Sequence, residues 1–216
     1  MNCSWAKTEI VAQARTSRLQ LFLKRYVDLL GAAVLILLLS PVFVALGMLV
    51  MFEDGLPIIY RRRVIAITGQ FDAFKFRSMR RDADSILASN PALKAEFERN
   101  FKLKNDPRVT RVGAFLRKLS LDELPQLFNV LRGEMSLVGP RMITAPELDR
   151  YGPHRQLLLT VKPGLTGYWQ VRGRQSVSYE ERVSMDVYYI QNWNLGMDLK
   201  ILAWTPWKVL KREGAF

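Results

Sequence analysis

Two adjacent acids, Asp122 and Glu123, stand in Ser120-Leu121-Asp122-Glu123-Leu124-Pro125-Gln126-Leu127. Arg117 and Lys118 lie one turn upstream, and Arg141 closes Gly133-Glu134-Met135-Ser136-Leu137-Val138-Gly139-Pro140-Arg141. A carboxylate that attacks phosphorus meets an electrophile that is already anionic, so the reaction requires cations to lower the local potential and steady the group in transit. Arg117, Arg141, Lys75 and Arg77 are available for that task, together with a divalent ion. An aspartate, with a reference pKa of about 3.9, is ionised at neutral pH and needs no base to become a nucleophile. The same spacing has a structural reading. Ser120-x-x-Glu123 is a capping box, and Pro125 belongs in a first turn, which together predict a helix starting near Ser120. Free amides at a helix start attract phosphate, so the two readings share one geometry.

Composition narrows the chemistry. The 216 residues carry 32 Lys and Arg against 20 Asp and Glu, a formal charge of +12, which calls for an anionic partner: nucleotide phosphates, anionic lipid or nucleic acid. Cys3 is the only cysteine, so no internal disulfide and no thiolate zinc cluster can form. His154 is the only histidine; beside Gly152-Pro153 it reads as a solvated loop residue, and imidazole-rich metal sites are excluded. Any metal is then held by carboxylates, phosphates and water, which favours Mg²⁺, with Mn²⁺ as the substitute.

The elements that must position these groups follow from periodicity. Phe74-Lys75-Phe76-Arg77 alternates as a strand does, placing Lys75 and Arg77 on one face, after a turn at Gly69. Between Asp82 and Leu103 two helices are expected, divided by Pro91, and Asn105-Asp106-Pro107-Arg108 marks a turn. Met135 to Val138 reads as a short buried strand, and Lys162 to Trp169 as a turn leading into a strand. Met197 to Lys211 mixes Trp204 and Trp207 with Lys200 and Lys208 in a helix that Pro206 is expected to interrupt. Its apolar face suits either a membrane interface or a core.

From Leu29 to Phe52 no residue is charged, a run of about 24 residues and about 36 Å as a helix, enough to cross the hydrocarbon core. Basic residues flank both sides: Arg15, Arg18, Lys24 and Arg25 before it, Arg61, Arg62 and Arg63 after it. The positive-inside bias therefore holds both ends in the cytoplasm. Ser40-Pro41 lies mid-run, where proline lacks a backbone donor and crowds the carbonyl of Leu37, and the Ser40 hydroxyl can bond a freed carbonyl. A helix that enters, breaks at Ser40 and Pro41 and returns satisfies both flanks, whereas a straight span strands one of them. The length of the run weighs against a cleaved signal peptide, and a buried core helix is the remaining alternative.

These residues resemble the bacterial sugar transferase family, the monotopic polyprenyl-phosphate phosphoglycosyl transferases. The resemblance runs through the membrane segment with Ser40-Pro41, Lys75-Phe76-Arg77-Ser78-Met79, Asp106-Pro107-Arg108-Val109-Thr110, the Asp122-Glu123 segment and Met135 to Arg141. Lys162-Pro163-Gly164-Leu165-Thr166-Gly167 and Trp169-Gln170-Val171-x-Gly173-Arg174 look like the exopolysaccharide and O-antigen branch. The resemblance implies an α/β, helix-rich, single membrane-associated catalytic domain at residues 53–216, behind a basic segment and re-entrant membrane helix at 1–52, with interfacial amphipathic helices. It implies that Asp122 attacks the β-phosphate of a UDP-sugar, with galactose or glucose favoured. UMP then leaves, and a polyprenyl phosphate, the undecaprenyl compound, takes the phosphosugar. Glu123 would hold Mg²⁺, and Lys75, Arg77, Arg117 and Arg141 would contact phosphate. The setting implied is the cytoplasmic face of a bacterial inner membrane, with membrane lipids as partners, no nucleic acid, and self-association left open. Two departures stand out: Met142 where proline is common, and Arg61 to Ile67 in place of a glycine-rich loop. The rival reading is a basic, non-catalytic membrane scaffold of polysaccharide assembly, in which Ser120 and Glu123 only cap a helix.

Overall fold

A computed structural model of the chain describes residues 17–67, 69–100, 103, 105–173 and 177–210. Cys3, Arg15, Arg174 and Lys211, which the sequence reading used, lie outside the described residues.

The apolar run forms one helix, α1 (Arg18–Asp54), begun by Ser17, whose hydroxyl accepts from the Gln20 amide, and closed by Gly55 in a positive-φ conformation. It is long and apolar enough to cross a membrane, with a mean hydropathy of 2.8 in its most apolar window. Only 17% of that window is buried, which argues against the buried-core alternative. The expected break at Ser40 and Pro41 does not end the helix: α1 continues through Pro41. Proline removes a single backbone donor, and the Ser40 hydroxyl bonds the Leu37 carbonyl at 2.9 Å, so the carbonyl crowded by the ring is satisfied without unwinding the turn.

Both halves of α1 rest on the same body. Arg25 donates to the carbonyls of Val130 and Leu131, Lys24 to Val138, and the buried Asp28 carboxylate accepts from the Ser136 hydroxyl and the Leu137 amide. Past Pro41, Phe43 packs on Phe76 and Phe128, Leu46 and Val50 are buried beside Phe76 and Leu116, and Glu53 accepts from the Val112 amide. Leu37 and Leu38, between these attachments, are 74% and 69% exposed, and bare apolar side chains continue along the helix to both ends, from Leu19 and Phe22 to Phe52.

The strands β1 (Ile59–Ala66) and β2 (Gly69–Phe76) pair antiparallel, with Tyr60 opposite Lys75 and Val64 opposite Phe71. Arg61 to Ala66, read from sequence as a replaced loop, is therefore strand. Helices α2 (Ala83–Ala88) and α3 (Pro91–Asn100) follow, divided at Pro91 as expected. Then come α4 (Arg111–Lys118), a 3₁₀ turn at Leu121–Glu123 and α5 (Gln126–Arg132). The second sheet is a parallel pair, β3 (Ser136–Val138) with β4 (Gly164–Thr166). Gly164 is required there, because a Cβ would overlap the Gly139 backbone.

Short helices α6 (Ala145–Leu148) and α7 (Arg155–Leu158) lie between the β3 and β4 strands. Helices α8 (Tyr168–Arg172), α9 (Tyr179–Asn192) and α10 (Leu195–Leu210) complete the described chain. Two corrections arise here. Tyr168 and Trp169 open α8 instead of extending the β4 strand, and α10 runs on through Pro206, where Thr205 bonds the Ile201 carbonyl at 2.7 Å. One face of α10 packs through Ile201, while Trp204 and Trp207 stay more than half exposed. The main core gathers Val64, Phe71, Leu127, Val130, Met135, Leu137, Val138 and Ile143 between the two sheets and α5.

Candidate active site

The acids sit on the 3₁₀ turn between α4 and α5, and the capping box does not form. Ser120 adopts a left-handed conformation (φ 56°, ψ 23°) and its side chain makes no cap bond, while the regular helix begins only at Gln126, behind Pro125. A left-handed serine is uncommon and carries a conformational cost, of the kind that functional segments retain. The tight turn presents Asp122 and Glu123 toward β2 instead of along a helix axis.

From the end of β2, Lys75 donates to Glu123 at 2.5 Å. The strand is held in place by Asn129 of α5, which is fully buried. Its side chain accepts from the Phe74 amide at 3.0 Å and donates to the Asp72 carbonyl at 2.8 Å and to Glu134 at 2.7 Å. Asn129 thus fixes the register between the element carrying Lys75 and the one following the acids, and nothing in its local sequence signals this.

Arg117 reaches the same place from α4, anchored by a 2.8 Å bond to the Ser78 hydroxyl. That contact depends on Gly113: α4 approaches so closely that a Cβ there would overlap the Ser78 carbonyl. The Lys75 to Met79 and Asp106 to Thr110 segments meet at this point. Met79 bridges to Val109, the Thr110 amide donates to the Ser78 carbonyl, and the Arg80 amide to that of Arg108. Arg108 is itself buried in a bidentate pair with Asp106 at 2.8 and 2.7 Å.

Arg141 follows β3 and stacks on the Trp169 ring, 5.4 Å from its centroid, and its charge acts on Glu123. Arg62, from the middle of β1, pairs with Glu147 at 3.3 Å and also acts on Glu123. The signal for Arg62 was present in its strand alternation: Arg61 and Arg63 share the exposed face, and Arg62 takes the other. Arg77 lies elsewhere. It is buried at the end of α1, donating to the carbonyls of Asp54 and Gly55 at 2.7 Å and pairing with the Asp54 carboxylate at 3.1 Å. Of the expected phosphate contacts, Lys75, Arg117 and Arg141 converge on the acids, and the contacts of Arg77 are with α1. Because the β2 strand ends at Phe76, Arg77 leaves the strand face that it was expected to share with Lys75.

The two acids are electrically unlike. Burial raises the Asp122 carboxyl above the ordinary aspartate value; Lys75 pulls it back, the charge of Glu123 adds to the rise, and Arg117 opposes it. Burial also works against Glu123, but Lys75 and then Arg141 outweigh it and hold that carboxyl below the usual range. Asp122 is thus less readily ionised than a free aspartate, and Lys75 and Arg117 favour its charged form. Among the described residues no group of three or more His, Cys, Asp or Glu forms a metal cage. Two hard carboxylates at one point nevertheless suit Mg²⁺, which commonly takes one or two protein carboxylates and completes its shell with substrate phosphate and water.

Comparison with known proteins covers nearly the whole chain. A family model described as bacterial sugar transferase matches residues 19–212. The "UDP-galactose-lipid carrier transferase" of Erwinia amylovora is 50% identical over 199 residues, covering 90% of this chain and 42% of that protein. The "undecaprenyl-phosphate galactose phosphotransferase" of Salmonella typhimurium is 47% identical, covering 94% of this chain and 43% of its own length. The chain therefore spans about two fifths of these two relatives. The "exopolysaccharide production protein ExoY" of Rhizobium meliloti is 48% identical, with 89% of this chain and 88% of that protein aligned.

Proposed function

The chain belongs to the bacterial sugar transferase family, and from that premise we propose that it transfers a hexose 1-phosphate from a UDP-sugar to polyprenyl phosphate through a phosphosugar-aspartyl intermediate. The observation that carries this reading is the convergence of Lys75, Arg117, Arg141 and Arg62 on Asp122 and Glu123. A scaffold whose acids served only as a helix cap would need the capping box that Ser120 does not make.

In the first half-reaction an Asp122 carboxylate oxygen bonds to the β-phosphorus. The bond from that phosphorus to the bridging oxygen breaks, and UMP departs with that oxygen. In the second, an acceptor phosphate oxygen attacks the same phosphorus and the Asp122 carboxylate is released, giving a polyprenyl diphosphate sugar. Neither step demands a histidine base. Arg117 and Arg141 stand on opposite sequence arms of the acid pair and bind and orient the diphosphate, and Lys75 keeps Glu123 ionised. Glu123 would hold Mg²⁺, with Mn²⁺ as a substitute. The ion would neutralise charge on the diphosphate and on departing UMP.

The name of the Erwinia relative makes UDP-galactose the first donor to test, and that of the Rhizobium relative makes initiation of an exopolysaccharide repeat the first pathway role. With polyprenyl phosphate and Mg²⁺ present, UMP release is expected from UDP-galactose or UDP-glucose above their N-acetyl relatives. Release from none of the four would refute the transferase reading.

The attachment of both halves of α1 to one body, together with basic residues on both flanks, supports a re-entrant placement in the inner membrane, with the catalytic domain in the cytoplasm. In intact cells a membrane-impermeant thiol reagent should leave both Cys3 and, in a Cys3→Ser background, a cysteine introduced by Ser85→Cys unlabelled. Labelling at Cys3 alone would overturn the re-entrant placement.

A further inference from the structure

A second polar cleft, of about 520 Å³, opens where α1 ends; neither the acids nor Lys75, Arg117, Arg141 and Arg62 line it, while Arg80, Val109 and Thr110 form its wall toward the acid pair. Its charged walls are Glu53, Asp54, Arg80, Arg81, Asp82 and Arg111. By count these cancel, but with Arg77 behind the wall the cations exceed the acids by one, and each acid already has a partner. Glu53 accepts from the Val112 amide with both oxygens at 3.1 Å, Asp54 pairs with Arg77, and Asp82 takes a bidentate grip from Arg80 at 2.9 Å. Arg81 and Arg111 have no ion pair among the described residues, and the Arg81 guanidinium lies against Gly55 at the mouth of the helix end. Behind Asp54, the buried Arg77 pairs with that carboxylate and keeps two nitrogens, Nε and Nη1, without hydrogen-bond partners.

The surroundings are apolar in a way a soluble anion does not require. Phe52, just before Glu53, is 79% exposed, and Leu56, just after Gly55, is 63% exposed. Phe115 is half exposed on the same face of α4 as Arg111, four residues on. Unpaired arginines beside bare aromatic and aliphatic side chains, at the end of an apolar helix, complement a molecule that is anionic at its head and hydrocarbon below it. We propose that this cleft holds the phosphate headgroup of an anionic glycerophospholipid, of the phosphatidylglycerol class, and so fixes how deeply the α1 end sits in the bilayer surface. The inference rests on the reading that α1 lies in a membrane, which the thiol labelling tests separately.

The test is lipid binding by the full chain, released from detergent micelles into native mass spectrometry with phosphatidylglycerol or phosphatidylcholine added. It requires no turnover, so failure of the transferase reading would leave it interpretable. Wild type should retain phosphatidylglycerol over phosphatidylcholine, and Arg81→Gln combined with Arg111→Gln should weaken that retention about tenfold. A control with the exposed cations Arg63→Gln and Lys94→Gln should retain the lipid as wild type does. Equal loss in the control, or unchanged retention in the cleft variant, overturns the proposal. Displacement of the lipid by UMP or inorganic phosphate would overturn it in favour of a soluble-anion site. A raised KM for polyprenyl phosphate alone, with phosphatidylglycerol retention intact, would overturn it in favour of an acceptor site.

Discussion

Asp122→Asn is expected to release UMP at least about a thousandfold more slowly than wild type while remaining folded, because the amide keeps the shape of the side chain and lacks the nucleophilic anion. The local structure allows a clean result. Asp122 is 7% exposed on a 3₁₀ turn and closes no cap, so the substitution removes no helix-stabilising bond. Its charge is also one that burial disfavours, so neutralising it relieves an electrostatic cost. The thermal midpoint of Asp122→Asn should therefore match or exceed that of wild type. Loss of turnover accompanied by unfolding would point to a structural role for Asp122.

Lys75→Met should be the more damaging change for the protein as a whole. It leaves Glu123 half-buried without the ammonium group 2.5 Å away, an uncompensated charge costing about 2 kcal/mol for a pair that is partly open to solvent. The pH dependence has a definite sign. In wild type the Glu123 pKa is depressed, so its contribution to stability is present above the unfolded value and is lost as pH falls through the lower folded one. Without Lys75, the largest influence opposing burial, the Glu123 value rises, and the stability that its charged form contributes at higher pH shrinks. The stability gap between wild type and Lys75→Met should therefore widen as pH rises from roughly 4 toward 7. The acid limb of kcat should also shift to higher pH, since Lys75 is the largest opposing influence on Asp122 as well. Denaturant titrations at several pH values, with pH–rate profiles, read both effects. A gap that is constant with pH would show that Lys75 does not govern the ionisation of the acids.

The acid pair and three of its cations were legible in the sequence because phosphoryl chemistry needs residue types that are costly to bury, and Asp122, Glu123, Lys75, Arg117 and Arg141 are such residues. What surrounds them was less legible. The spacing Ser120-x-x-Glu123 satisfies a capping rule, yet the carboxylate finds a stronger partner in Lys75, and Ser120 is left in a left-handed turn. Pro41 and Pro206 obey the rule that proline removes a donor, but a neighbouring hydroxyl at Ser40 or Thr205 bonds a nearby carbonyl in each case and the helix persists. Asn129 and Asp28 act across long sequence separations, on Phe74 and Asp72 and on Ser136 and Leu137, so neither has a local pattern to betray it. Arg77 shows the opposite error. Strand alternation placed it beside Lys75, and the end of the β2 strand one residue earlier turned it toward Asp54.

The covalent step is the central claim, and it is read most directly by intact-protein mass spectrometry of wild type incubated with UDP-galactose and Mg²⁺ in the absence of polyprenyl phosphate. The protein should gain the mass of one hexose phosphate and release at most about one UMP per active site, as a two-step mechanism requires. The adduct should map to Asp122, disappear when acceptor is added and be absent from Asp122→Asn. Unmodified protein together with UMP formation that strictly requires the acceptor would contradict the covalent mechanism and leave direct transfer in its place.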